Sequence, residues 1–333
     1  MSDPILTVRN LTTRLQIGEK LFKVVEGLSF QLHKGKTLAL VGESGCGKSV
    51  SAHSIMRILP SPPFLPPEGE VLYRGQNLLT ISERQMRSLR GAKIAMIFQD
   101  PGSALNPVYT VGNQLMEVAE LHLGLYGEEA WEKAVQALIE VGISSPRERL
   151  LDYPHQLSGG MKQRVMIAMA LICQPDILIA DEPTTALDVT IQAQVLELIR
   201  SLQQRMGMAV LLITHNMGVV AEAADEMMVM YASQTVESGS VERVFKYLSH
   251  PYTIGLFQSH PSPDRTRGKL TPIKGSVPSL TNYPSGCRFH PRCPFVMDKC
   301  LSGHVPNFVI DERPEHLAKC WLFEKNKKKN ENA

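Results

Sequence analysis

The run Gly42-Glu43-Ser44-Gly45-Cys46-Gly47-Lys48-Ser49 follows the pattern G-x-x-x-x-G-K-S. Glycines at this spacing let backbone N–H groups turn inward around a phosphate chain. A lysine then reaches the terminal phosphates, and the serine hydroxyl meets Mg²⁺. The pattern carries meaning only between a strand and a helix. Here Thr37-Leu38-Ala39-Leu40-Val41 is a short apolar run suited to a buried strand. The stretch from Val50 to Leu59 has helical spacing and stops at Pro60. The helix start adds the positive end of its dipole to the same anion site.

Further along, apolar runs end in polar groups suited to phosphoryl transfer to water. Lys93 to Phe98 leads into Gln99, Asp176 to Ala180 leads into Asp181 and Glu182, and Met208 to Thr214 leads into His215. A γ-phosphate needs positive charge around its oxygens, a metal and a positioned nucleophile. Asp181 can hold Mg²⁺ through water, Glu182 can polarise the attacking water, and His215 can contact the γ-phosphate. Paired acids also cap helices, and a strand-end histidine also serves turns. The phosphate loop upstream favours the chemical reading of the acids, while the two readings of the histidine stand level. Leu157-Ser158-Gly159-Gly160-Met161-Lys162-Gln163-Arg164 opens a helix, so Ser158, Gly159 and Gly160 form a second anion site.

These groups must be carried by strands alternating with helices. That alternation predicts a mostly parallel sheet with its ligand site at the carboxyl ends of the strands. Residues 4–32 alternate apolar and polar around Gly18 and predict a small antiparallel sheet. Phe22 within it either stacks on a nucleotide base or packs under the sheet. The proline-rich stretch 60–69 is a loop, and Ser82 caps a short basic helix. From residue 102 to 165 helical periods at 111–124 and 128–141 mark a helical insertion. Asp188 precedes a helix at 189–205.

The chain of 333 residues suffices for one large or two ordinary domains, and 43% hydrophobic content permits a full core. A formal net charge of +2 gives no field that recommends nucleic acid. No apolar run reaches the ~20 residues of a membrane span, and no basic-then-apolar leader opens the chain. The expectation is an intracellular protein that serves a membrane only through a partner. Cys46 and Cys173 read as apolar fillers, whereas Cys287, Cys293, Cys300 and Cys320 crowd into the last fifth of the chain.

The loop 42–49, Gln99, the run 157–164, the strand 177–182, Ala186-Leu187-Asp188 and His215 stand in an order and spacing that resembles the ATP-binding-cassette (ABC) ATPases over roughly residues 4–245. The resemblance implies an α/β fold: a P-loop NTPase (RecA-like) core with an antiparallel β subdomain and a helical subdomain at about 102–165. It implies ATP and Mg²⁺ as ligands. Glu182, His215 and Gln99 are the catalytic set, and Ser49, Gln99 and Asp181 hold the metal. Phe22, Gly42, Ser44 to Val50, Gln99, Asp181 and Asp188 then contact the nucleotide, with Ser158, Gly159 and Gly160 reaching it from a second, head-to-tail cassette. ATP closes such a dimer and hydrolysis opens it. Two departures stand out: Met161 where glutamine is common, and Asn216 where aspartate is usual.

The segments 250–253, 272–280 and 287–294 resemble the extension of oligopeptide and dipeptide importer ATPases, of the dipeptide type. This implies a second ATPase subunit, two permeases, an external peptide-binding protein, and a place on the cytoplasmic face of the membrane. The insertion beside Gln99 would receive a permease helix. The same role in a nickel or other small-solute importer is the alternative. A soluble cassette protein acting on ribosomes or DNA is a further one, disfavoured by a single cassette without a long coiled coil. The four thiols, spaced C-x5-C-x6-C-x19-C at 287–320 without the tight knuckles of zinc sites, read as a thiolate metal site; disulfides are the alternative, which a cytoplasmic setting disfavours. The resemblance makes that site a four-iron, four-sulfur (4Fe-4S) cluster, with zinc the alternative. The extension, 246–322, is expected to be irregular, without an aromatic-rich core, and fastened by its metal. Residues 323–333 are expected to form a basic disordered tail.

Overall fold

A computed structural model describes residues 3–185, 188–259, 272–311 and 313–324. Ala186, Leu187 and the basic run 325–330 lie outside the described residues. The chain divides into two compact units. One comprises Thr80–Ile213 with the short pieces Met1–Ile5 and Leu32–Lys36; the other comprises Leu6–Gln31, Thr37–Leu79 and Thr214–Ala333.

In the first unit three parallel strands lie side by side: Ile94–Ile97, Ile177–Asp181 and Ala209–Thr214. Every residue of the three is buried. That is why they read as unbroken apolar runs: helices cover both faces of a parallel sheet. The register sets Ile97 beside Ala180 and Asp181 beside Ile213, so the polar residues that follow leave the sheet at one edge. Helices Val111–Leu123 and Gly127–Glu140 form the insertion and pack on each other and on helix Gly159–Leu171. Their ends are chemically marked. The Thr110 hydroxyl accepts from Asn113 N–H, and Gly124 closes the first helix in a left-handed conformation. Asp188 caps helix Val189–Met206 by accepting from Ile191 N–H at 2.9 Å.

The second unit contains a four-stranded antiparallel sheet in the order Lys20–Leu32, Leu6–Ile17, Glu68–Tyr73, Gln76–Asn77. Its other sheet starts at Thr37–Val41, which pairs in parallel with Glu226–Tyr231. Gln234–Ser240 then runs antiparallel to Glu226–Tyr231. The C-terminal extension is not irregular throughout. Its strand Arg313–Ala318 pairs with Gln234–Ser240, and Phe308–Ile310 pairs with Arg313–Ala318. Strands this short, one with Pro314 inside it, fall below any readable period.

Contrary to expectation, the extension packs into an aromatic core that it shares with strand Glu226–Tyr231. Tyr231, Tyr252 and Phe289 are fully buried with ring centroids 4.6–5.4 Å apart. They belong to one apolar cluster with Ala39 and Val41 of the strand that leads into the phosphate loop. Each aromatic stands alone in the sequence, so no local pattern announces the cluster. A buried carboxylate fastens the segment. Glu237 accepts from Ser249 N–H at 3.0 Å and His250 N–H at 2.8 Å, and lies 2.9 Å from His316 Nε2. Nearby, Glu26 is paired with Arg288 and accepts from Gln234 at 2.8 Å.

Burial works to raise the Glu26 pKa, but hydrogen bonds from Lys23 and Gln234 and the charge of Arg288 outweigh it and hold the carboxyl down from 4.5 to about 2. A depressed carboxyl stabilises the fold above its unfolded value and loses that contribution as pH falls through its folded value. Urea midpoints of wild type and Glu26→Gln should therefore differ at pH 6 and converge between pH 4.5 and 2. A constant difference across that window would show that Glu26 is not the titrating group.

Candidate functional site

The phosphate loop is shaped by walls that leave no room for side chains. A Cβ on Gly42, at φ +152°, would lie 2.3 Å from the Met230 carbonyl oxygen. One on Gly47, at φ +107°, would lie 2.4 Å from the Val24 carbonyl oxygen. Both positions therefore demand glycine on two counts, conformation and space. Gly47 opens helix Lys48–Met56, and Ser51 N–H returns to its carbonyl at 2.9 Å. The loop is tied to its unit by Ser233 N–H, which donates to the Cys46 carbonyl at 3.0 Å.

Lys48 is buried and arches over the loop. Its Nζ donates to the carbonyls of Gly42 at 2.8 Å and Glu43 at 3.1 Å. Ser44 and Gly45 are exposed at the rim, while Ser49 and Val50 are half-buried. Cys46 is fully buried 3.9 Å from Lys48 Nζ, and burial pushes its thiol pKa up, so it packs rather than reacts. Phe22 is partly exposed on strand Lys20–Leu32 and stands outside the buried core. His215, in the same unit, is exposed. Asn216 caps helix Met217–Ala223 by accepting from Gly218 N–H at 2.9 Å, a task an aspartate would perform equally.

In the other unit the strand Ile177–Asp181 delivers the acids. Asp181 is buried as its last residue, and Glu182 turns out of it in the left-handed region at φ +46°. A left-handed glutamate is strained and must be held by its surroundings. Its N–H donates to the Ile213 carbonyl at 2.9 Å, and one carboxylate oxygen, Oε2, accepts from Gln99 Nε2 at 3.0 Å and from Thr185 Oγ1 at 2.9 Å. Gln99 and Glu182, 83 positions apart in sequence, are thus brought together. Thr185 was not singled out from sequence; its place three residues after the glutamate is the only signal, and a weak one.

Ser158 caps helix Gly159–Leu171, accepting from Met161 N–H at 3.3 Å. Met161 thus contributes its backbone to the cap. Ser158 and Gly159 are exposed, and a Cβ on Gly159 would meet nothing within 4 Å. Gly160 is tighter, with Ile191 Cγ2 3.3 Å from such an atom. The buried Gln163 of the same helix donates to the Pro183 carbonyl at 2.6 Å and joins the helix to the segment after Glu182. Asp188 is exposed at its helix start.

A phosphate loop, an acid pair on a buried strand and a Ser-Gly-Gly helix start identify a cassette. Residues 25–185 match the family "ABC transporter", and residues 236–300 match "Oligopeptide/dipeptide transporter, C-terminal region". The Bacillus subtilis "Dipeptide transport ATP-binding protein DppD" is 48% identical over 320 residues, covering 96% of this chain and 95% of that protein. The chain belongs to the ABC transporter ATP-binding proteins. The cassette is also 51% identical, over 96% of its length and 95% of the relative, to the "Probable peptide ABC transporter ATP-binding protein y4tR" of Sinorhizobium fredii. Among solved structures, the ATP-binding cassette MJ0796 in a dimeric post-hydrolysis state bound to ADP and Pi aligns with a TM-score of 0.63 at 25% identity. It covers 71% of this chain and 98% of that one. No described helix of the cassette is long and apolar enough to cross a membrane.

The four C-terminal cysteines converge. Cys287, Cys293, Cys300 and Cys320 line one small apolar cavity with Phe289, Phe295, Trp321 and His250. None is in a disulfide. Burial raises the thiol pKa of Cys287, Cys293 and Cys320, the last to about 12. His250 is buried; its Nδ1 accepts from Tyr252 N–H at 3.1 Å and its Nε2 has no hydrogen-bond partner. Among the described residues no group of three or more His, Cys, Asp or Glu stands close enough to hold a metal ion.

The open surroundings of Gly159 generate a test. Gly159→Asp puts negative charge at a helix start, where it favours the helix, and would repel a triphosphate brought to that exposed face. The variant should fold and bind nucleotide as an isolated chain, while turnover in an assembled dimer should collapse. Loss of nucleotide binding by the isolated variant would place Gly159 in the chain's own nucleotide site instead.

Proposed function

We propose that this chain is the ATP-hydrolysing subunit of a peptide importer, bound at the cytoplasmic face of the membrane to two permeases and a second cassette. The observation that carries the reading is the restraint of Glu182. A strained glutamate at a buried strand end, with one oxygen held by Gln99 and Thr185, is oriented for one task. That task is to take a proton from water attacking the γ-phosphate. Lys48 and the loop N–H groups hold the phosphates. The donors Ser49, Gln99 and Asp181 are all hard oxygens and fit Mg²⁺, which screens phosphate charge when bound. Gln99 gives its amide nitrogen to Glu182, so its carbonyl oxygen is the end that meets a cation. His215 contacts the γ-phosphate, Phe22, Val50 and Asp188 border the nucleotide, and Ser158, Gly159 and Gly160 serve the partner cassette's ATP. ATP then closes the dimer and hydrolysis opens it.

Peptide cargo is supported by the match of residues 236–300 and by the names of the relatives. Reconstitution with the permeases and binding protein distinguishes it from nickel: ATP hydrolysis should rise with dipeptides or oligopeptides and stay flat with Ni²⁺. The converse result would reassign the cargo.

For the extension we read the four thiols around one apolar cavity as ligands of a 4Fe-4S cluster, which would supply a covalent tie among segments 287–300 and 320. What supports this reading is that all four thiols line the same cavity. Anaerobically purified protein should be brown with about four irons per chain, and Cys293→Ser should bleach it. One zinc per chain without iron would replace the cluster; no metal at all would remove the site.

Glu182→Gln keeps the shape and removes the base. Nucleotide should still bind, the closed dimer should accumulate, and turnover should fall about a hundredfold or more. Wild-type turnover in the purified complex would refute the assignment of Glu182.

A further inference from the structure

The C-terminal extension reaches the phosphate loop itself. Arg292, between two of the cysteines, grips Glu43, the second residue of the loop. Its Nη1 lies 2.8 Å from Glu43 Oε2 and its Nη2 3.2 Å from Oε1, a two-pronged ion pair. Such forks fix orientation as well as position. The arginine has no slack. Its Nε donates to the Lys274 carbonyl at 3.0 Å, Nη1 lies 3.4 Å from the Tyr231 hydroxyl, and the guanidinium stands against the Tyr231 and Phe289 rings. Its side chain is 5% exposed and that of Glu43 31%. The backbone of the same loop residue is held too: Glu43 N–H donates to the hydroxyl of the buried Tyr252 at 2.9 Å. The Glu43 carbonyl in turn accepts from Lys48 Nζ at 3.1 Å. One loop residue thus joins the extension to the phosphate-binding lysine by two hydrogen-bonded routes.

We propose that Arg292 is a positioning residue for nucleotide binding: with Tyr252 it clamps Glu43 and holds the phosphate loop in its anion-binding shape. The clamp rests on the reading of residues 42–49 as an ATP site. Without the fork, Glu43 is a negative charge free to move beside a loop meant for a triphosphate. The extension then acts on the affinity for ATP, not on the proton transfer at Glu182.

The test is a double-mutant cycle on the full chain, with a fluorescent ATP analogue as probe in the presence of Mg²⁺. Arg292→Gln should weaken nucleotide binding about tenfold, the size expected for a lost charge-assisted hydrogen-bonded pair. Glu43→Gln should weaken it less, and the double variant should be no worse than Arg292→Gln alone. Arg292→Lys, which keeps charge without the fork, should recover only part. In saturating ATP the assembled transporter carrying Arg292→Gln should approach wild-type kcat with a raised KM. Hydrogen exchange at residues 42–47 should quicken in Arg292→Gln while residues 94–97 stay unchanged, which separates a loosened loop from a damaged fold. Wild-type affinity in Arg292→Gln, or strictly additive losses in the cycle, would overturn the clamp. Failure of wild type to bind the analogue, or its undiminished binding by Lys48→Ala, would instead overturn the ATP-site reading.

Discussion

The phosphate loop works because it cannot relax. Any Cβ on Gly42 or Gly47 would clash with a carbonyl wall, and those walls belong to Met230 and Val24, on strands of the same unit. A loop of bare N–H groups would otherwise collapse on itself or fray. Backbone packing from both sides keeps it open, and Ser233 anchors it at Cys46. The loop is therefore only as well ordered as strands Lys20–Leu32 and Glu226–Tyr231.

Those strands are themselves held by the C-terminal extension. Arg288 pairs with Glu26 of the first and donates to the carbonyl of Ala232, just past the second. Its guanidinium lies over the Tyr283 ring, whose hydroxyl is 2.8 Å from Ser233 Oγ. Phe289 and Tyr252 complete the apolar cluster that begins at Ala39 and Val41. Charge pairs of this kind contribute modestly when exposed and more when they are enclosed and forked. Here the Glu26–Arg288 pair is half-buried. The extension is part of the architecture packed around the phosphate loop, and the buried Glu237 network keeps it there.

The acid pair obeys a different constraint. Asp181 remains in the strand and buried, while Glu182 is forced through a left-handed turn. The turn gives neighbouring carboxylates different surroundings. Gln99 and Thr185 then fix the glutamate by its side chain, and Gln163 ties the following segment to the Ser-Gly-Gly helix. A change at that helix start can reach Glu182 through short, directional contacts within one unit.

By itself the sequence determined the parts whose physics is local. Apolar runs with both faces buried announced the parallel strands 94–97, 177–181 and 209–214, and the glycine spacing with Lys48 announced the phosphate loop. Ser82, Ser158 and Asp188 announced helix starts, because capping is a bond between residues three apart. Only the tertiary structure decided what depends on distant pairs. That Oε2 of Glu182 is shared by Gln99 and Thr185 could not be read from spacing. Nor could the aromatic core that joins the extension to strand Glu226–Tyr231, with rings contributed by residues 231, 252 and 289. The meeting of Arg292 with Glu43 spans 249 positions, and no periodicity reports a contact of that kind. Pairing across the fold is set by how sheets and loops pack, and single-residue chemistry names the groups without naming their partners.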